Sequence, residues 1–480
     1  MGSYILSIIH LKRSSFILLY LFSVQTYGQV KLPAIISDRM VLQQKSSVPL
    51  WGKAKPGSKI RVKPSWQKQV VITTALTDSS WKVKVNTPSA GGPYSIKISD
   101  GSPIKINNIL IGEVWLCSGQ SNMTMPVKGF PNDPVEGSTD EILNAKNKNI
   151  RFFDVGRSSA LELQKDVKGS WKEVTSESLS NFSATAWFFG KTVQQELNIP
   201  VGLITSSWGG SNIETWMSKE ALSAFSDIKI PEVKDSVRIP NQTPTILFNN
   251  MIYPVTGYGI KGVIWYQGES NRLNPAQYKE LLPAMVKNWR SIWGGEQFPF
   301  YYLQIAPFNY GKGLSSAYIR EAQLKAQKLI PNSGIGFLMD AGEESNIHPA
   351  NKKAAGMRLA TLALVKSYGF KGLPETGPVN KSMQVKDTTA YLFFEHAEGG
   401  LTSWGKTLNH FEIAGENKIF YPAKAVITKQ GVAVSNAGKV KNPVAVRYAF
   451  KDFVIGDLFN NAGFPATSFR TDDWVIEKRP

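Results

Sequence analysis

Ser121 lies in the segment Gly112-Glu-Val-Trp-Leu-Cys-Ser-Gly-Gln-Ser-Asn-Met-Thr-Met-Pro126, where an apolar run ends in glycine and gives way to the polar Gln120-Ser121-Asn122. That order displays a serine hydroxyl at the carboxyl end of a strand and the mouth of a helix. A serine is a weak nucleophile until a base and an anion-stabilising pocket accompany it. The same three residues could simply cap a helix, so the reading depends on partners. The usual base is histidine, and only His348, His396 and His410 lie beyond the first thirty residues. His348 sits in Asp340-Ala-Gly-Glu-Glu-Ser-Asn-Ile-His-Pro-Ala350, just past an apolar strand and at the start of a helical stretch. His396 and His410 lack such framing and read as structural. Donors for an oxyanion come from two further segments. Ser206-Ser-Trp-Gly-Gly-Ser-Asn212 offers the amides of Gly209 or Gly210, and Gln267-Gly-Glu-Ser-Asn271 offers side-chain amides. Each segment follows an apolar strand, and four polar motifs at four strand ends describe a hydrolytic site better than four unrelated caps.

The elements that must hold these motifs are legible from periodicity. Strands are expected at Ile109–Cys117, Ile150–Val155, Val201–Ser206, Lys261–Tyr266, Pro299–Ile305 and Gly334–Met339. Helices are expected at Ala184–Leu197, Tyr278–Trp293, Ala317–Leu329 and Pro349–Ser367. Strands that are apolar throughout and separated by helices form a parallel sheet covered on both faces. Chemistry in such sheets gathers at the carboxyl ends of the strands. Ahead of this α/β region, Val30 to Ile109 reads as short alternating strands with turns at Lys55-Pro-Gly and Ala90-Gly-Gly-Pro, a small β-sandwich. From about Gly377 the chain returns to short β runs. The expected organisation is a leader over 1–28, a β-sandwich over 29–108, an α/β domain over 109–372 and a C-terminal β region over 373–480.

The leader reading rests on Lys12 and Arg13 ahead of the apolar run Phe16–Phe22, with small residues at Thr26 and Gly28. That is the pattern of a secretory signal, and the run is shorter than the roughly 20 residues a membrane span needs. The implied location is secreted or periplasmic, with no membrane span. The net charge of +18 could mark a nucleic-acid binder. However, Lys59, Arg61 and Lys63 alternate with apolar residues as on a solvated strand face, and no nucleic-acid motif accompanies them. The single cysteine, Cys117, excludes an internal disulfide and a cysteine-based zinc site; on an apolar strand it reads as a buried, inert thiol.

Taken together, Gly112–Met123, Ser207–Trp216, Trp265–Asn271 and Ile347–Arg358 resemble the motif blocks of the sialate O-acetylesterase-like group of SGNH hydrolases. The flanks Met40-Val-Leu-Gln-Gln, Trp51-Gly-Lys-Ala-Lys-Pro-Gly and Phe469-Arg-Thr-Asp-Asp-Trp474 agree. The resemblance implies a flavodoxin-like catalytic domain between two β regions. It also implies an O-acetylated glycan as substrate, with sialic acid esters leading, and hydrolysis without metal or other cofactor. By the same resemblance Ser121 is the nucleophile and His348 the base. The oxyanion hole comprises the Ser121 amide, an amide of Gly209 or Gly210, and the side chain of Gln267 or, second, Asn271. Gln120, Asn122, Trp208 and Glu269 are expected at the substrate, and Trp216 and Trp265 are further candidates for a wall against the sugar. The family's aspartate three residues before the histidine is replaced by Ser345. The group orienting the imidazole is then Asp340 as first choice, with Glu343, Glu344, Glu269 or a backbone carbonyl as alternatives. An acetylesterase for xylan or another polysaccharide, and a silent glycan-binding protein on the same scaffold, are the competing readings.

Overall fold

The structure, a computed structural model, describes residues 1–2, 30–295, 297–311, 313 and 315–474. Apart from its first two residues, the expected leader lies outside them. Six strands form the parallel core: β1 (Pro103–Gly119), β2 (Ile150–Asp154), β3 (Val201–Ser207), β4 (Gly262–Tyr266), β5 (Phe300–Leu303) and β6 (Ser333–Gly336). Their order across the sheet is β2-β3-β1-β4-β5-β6, every neighbouring pair parallel, with the short strand Trp171–Glu173 antiparallel on the β2 edge. After β1 the chain steps to one side of the sheet for β2 and β3, then to the other for β4 to β6. The crevice at such a reversal is where open α/β sheets place their ligands.

Both faces of the sheet are apolar, and adjacent residues of a strand go to opposite sides. From β1 and β4, Trp115, Cys117, Ile264 and Tyr266 pack with helices α2 (Ala184–Leu197) and α5 (Lys352–Tyr368). Val114, Leu116, Val263 and Trp265 instead join α3 (Pro275–Ile292) and α4 (Ser315–Gln327) on the other face. Cys117 is fully buried there, and burial pushes its thiol well above its ordinary range. Each large apolar side chain enclosed in this way contributes roughly 1.5–3 kcal/mol.

β1 is longer than the sequence pattern suggested, and the boundary expected between 108 and 109 falls inside it. Its first half pairs antiparallel with Gly91–Ser99 of the N-terminal β region, and its second half is the centre of the α/β sheet. One continuous strand therefore joins the two regions. In the N-terminal strand Lys59–Pro64 the basic residues face solvent while Ile60 and Val62 are buried. The C-terminal region contains two four-stranded antiparallel sheets around Leu392, Phe411, Ile413, Val434 and Tyr448. It is fastened to α4, where Asp452 accepts the Ser316 amide at 2.7 Å and buried Arg320 donates to Ser468 Oγ at 3.0 Å. No helix among the described residues is long and apolar enough to cross a membrane.

Candidate active site

Three strands end level with one another, because Gly119 of β1 is the register partner of both Ser207 of β3 and Tyr266 of β4. That register puts Ser121, Gly209 and the Gln267–Asn271 segment on one rim. Gly119 makes the turn possible. Its φ is +139°, and a Cβ there would lie 2.1 Å from the Tyr266 carbonyl oxygen. A single turn of helix, α1 (Ser121–Thr124), begins at the serine. Ser118 Oγ donates to Ser206 O at 2.5 Å beneath it, tying the ends of β1 and β3 together.

Gly209 lies directly against the serine, since a Cβ at 209 would be 3.2 Å from Ser121 Cβ. Among the described residues, neither the Ser121 nor the Gly209 amide has a protein acceptor. Two unpaired amides, one on the serine itself and one on the glycine packed against it, are donors of the kind an oxyanion hole requires. Gly210 is turned away, in a left-handed conformation beside Asn241, whose amide donates to Gly209 O at 2.8 Å.

The side-chain donors expected from the next segment are otherwise engaged. Gln267 is fully buried, and its amide nitrogen donates to Ser211 O at 3.0 Å and to Asn271 Oδ1 at 2.8 Å. Asn271 in turn donates to the Glu214 carboxylate at 2.9 Å and accepts the Ile213 amide. These two residues brace the loop after β3 against the loop after β4: both N–H groups of Gln267 are taken, and the Asn271 amide is turned to Glu214. Gln120, also buried, accepts the Gly268 amide at 3.3 Å and has a bracing role of the same kind.

His348 sits in the irregular segment ahead of α5, four residues before its first turn. Its acid partner is not Asp340. That carboxylate is 2.6 Å from Arg358 Nη2 in an ion pair. Glu343 accepts the Ala350 amide and Glu269 the Asn122 amide, so neither takes the imidazole. The group at His348 Nδ1 is Asp133 Oδ2, at 2.8 Å. Asp133 stands in Phe130-Pro-Asn-Asp-Pro134, a turn closed by reciprocal backbone bonds between Phe130 and Asp133, with Asn132 at φ +66°. The Phe130 ring meets the imidazole edge-on with centroids 5.2 Å apart. A carboxylate at Nδ1 fixes the tautomer that leaves Nε2 free to accept a proton. The signal for Asp133 in the sequence was a single aspartate framed by two prolines, 215 residues from the histidine it serves.

Ser121 and His348 make no direct hydrogen bond here, but their neighbours do: Asn122 Nδ2 donates to Ile347 O at 3.0 Å. Asn122, expected at the substrate, is instead buried and part of this frame, as is Glu269. Trp216 and Trp265 are fully buried and meet edge-to-face in the core, which removes them from any sugar-binding wall; Trp208 is only half-buried. A polar recess of about 140 Å³ opens beside α1, lined by Thr124, Phe130, Asp154, Arg157, Thr205 and Ser207 among others. Asp154 lines this space at the exposed end of β2 and accepts from Thr205 Oγ1 at 2.5 Å. Arg157 makes no ion pair or hydrogen bond among the described residues.

A strand-end serine flanked by free amides, with a carboxylate-oriented histidine at the same rim, is the constellation of an ester hydrolase. Comparison with known proteins names the family. Residues 111–361 match the model of the carbohydrate esterases described as sialic acid-specific acetylesterases, and the chain belongs to that family. It is 31% identical over 395 residues to the sialate O-acetylesterases of Pongo abelii and Homo sapiens, covering 74% of each chain in both comparisons. Its structure is similar to that of a carbohydrate acetylesterase from Xanthomonas citri, with a TM-score of 0.85 and 33% identity over 93% of this chain and all of that one. The protein is a carboxylic ester hydrolase with a mixed α/β architecture.

Proposed function

We propose that this protein is an exported SGNH-type serine esterase that removes O-acetyl groups from glycans, with O-acetylated sialic acids its preferred substrates. The carrying observation is the Asp133–His348 contact of 2.8 Å on the rim that also bears Ser121. Ser121 Oγ attacks the acetyl carbonyl as His348 Nε2 takes its proton, and Asp133 stabilises the resulting imidazolium. The Ser121 and Gly209 amides hold the tetrahedral oxyanion. The imidazolium then protonates the departing sugar oxygen, releasing the sugar as its alcohol and leaving an acetyl-enzyme, and a water activated by His348 releases acetate. Loss of one hole donor lowers turnover by roughly a hundred- to a thousandfold in such sites.

The preference for an acidic sugar is supported by Arg157, an unpaired guanidinium at the recess next to Phe130 and α1. Guanidinium groups pair readily with carboxylates in two-point contacts, and sialic acids carry a carboxylate where xylan carries none. The relatives named sialate O-acetylesterases agree with this choice. The reading is tested by acetate release from O-acetylated sialic acid and from acetylated xylan, with wild type and Arg157→Gln. The expected result is faster release from the sialic acid ester, and a KM raised about tenfold by the substitution for that ester only. Equal or faster hydrolysis of xylan would move the protein to the polysaccharide esterases. Absence of hydrolysis on any acetyl ester would leave a glycan-binding protein.

A further inference from the structure

Beneath the catalytic rim lies a chain of buried polar groups that the mechanism does not use. Lys352, the first residue of α5, is 1% exposed, Asn122 1% and Glu269 4%. Lys352 Nζ donates to Asn122 Oδ1 at 2.7 Å and to Pro349 O at 2.7 Å. Asn122 Nδ2 donates to Glu269 Oε1 at 2.8 Å and to Ile347 O at 3.0 Å. The two carbonyls on either side of His348 are thus both held by this chain, and its central member is the residue after Ser121.

We infer that Lys352 and Glu269, acting through Asn122, are positioning residues that set His348 against Ser121. This inference rests on the Ser121–His348 reading above. The physical reason lies in the chemistry of an amide, whose two ends are nearly the same shape and can exchange places. An ammonium can only donate and an ionised carboxylate can only accept, so in their charged forms the pair dictates that Asn122 turns its oxygen to Lys352 and its nitrogen to Glu269. Only in that orientation does the amide have an N–H for Ile347 O. Two charged groups are costly to bury unless paired and hydrogen-bonded, and their burial here has an evident return in geometry. Burial draws the Lys352 ammonium down to about 7 and pushes the Glu269 carboxyl up. Lys352 is faced by Glu269, Glu343 and Asp133, and both network groups act on the same histidine segment.

The test uses the full-length protein, with kcat, KM and their pH profiles measured for 4-nitrophenyl acetate. Removing the donor, Lys352→Met, frees Asn122 to turn over and releases Pro349. The expected outcome is a fall of about 100-fold in kcat with KM within about threefold of wild type, the pattern of a misplaced catalytic group. Glu269→Gln keeps the shape but offers Asn122 either end of an amide. It should lower kcat about tenfold and displace a limb of the kcat/KM profile, which a purely structural residue would leave in place. If Lys352→Met fails to fold, Glu269→Gln carries the test alone. Wild-type kcat and pH profile in the folded variants overturn the inference. Ser121→Ala separates its failure from that of the parent reading: an active Ser121→Ala enzyme means that the serine mechanism itself is wrong.

Discussion

The described residues contain two histidine–aspartate contacts, and only one of them belongs to the proposed catalytic site. His348 Nδ1 lies 2.8 Å from Asp133 in the α/β domain, while His410 Nε2 lies 3.8 Å from Asp457 in the C-terminal β region. Both pairs are partly exposed. They differ in what else the carboxylate does and in what surrounds the ring. Asp457 is already occupied, accepting the Asn409 amide at 2.7 Å and lying 3.2 Å from the Tyr448 hydroxyl, so it holds a turn in place. Asp133 Oδ2 has the imidazole as its partner, and the backbone carbonyls on both sides of His348 are fixed from below. An acid beside a histidine is therefore a poor mark of catalysis. A histidine whose neighbours are tied to the residue after a strand-end serine is a better one.

The sharpest way to break the comparison is to remove the nucleophile. Ser121→Ala should reduce acetate release by at least about 1,000-fold, measured at saturating ester, while His410→Gln leaves turnover within about twofold. Next in size is the acid. Asp133→Asn should lower kcat by about 100- to 10,000-fold by permitting the wrong imidazole tautomer, whereas Asp457→Asn should leave kcat at the wild-type level. Asp340→Asn should leave the tautomer alone and act on folding, lowering the thermal midpoint by loosening the Arg358 pair. Gly209→Ala comes third: the added methyl presses on Ser121 Cβ from 3.2 Å, with an expected loss of about 10- to 100-fold in kcat and little change in the thermal midpoint.

The smallest effect is one of stability with pH. Lys352 has a folded pKa of about 7 against an ordinary 10.5. Between those values the unfolded chain holds a proton that the folded protein has lost, so this group makes stability rise with pH across that window. Urea midpoints taken at neutral and alkaline pH should show the rise in wild type and a flatter profile in Lys352→Met. Glu269 has the opposite sign. Its raised pKa means the unfolded carboxyl ionises first, so its contribution is lost as pH rises above the usual glutamate range.

Much of the candidate active-site rim was legible in the residues. Apolar runs of strand length alternating with amphipathic stretches marked the sheet. A glycine followed by polar residues marked three of its strand ends, because an abrupt exit from a strand needs a residue without a side chain and polar groups to follow. Ser121, His348 and the alternatives Gly209 and Gly210 became candidates on that basis. Some motif residues share the same local grammar without reaching the rim. Gln267 and Asn271 look like donors in sequence and are braces in space, because only packing shows that Ser211 and Glu214 already occupy their amides. Trp216 and Trp265 look like a sugar platform until the core closes over them.

The order of residues alone thus determined the family and the parallel sheet and nominated the serine and histidine, because each depends on periodicity or on a short run of neighbours. The partner of His348 was decided elsewhere. Asp340 is eight residues away along the chain and bound to Arg358, while Asp133 is 215 residues away and in contact. The long strand from Pro103 to Gly119 that joins two regions, and the buried Lys352–Asn122–Glu269 chain, are likewise products of folding. Hydrogen bonds depend on direction and distance in space, and separation along the chain carries neither.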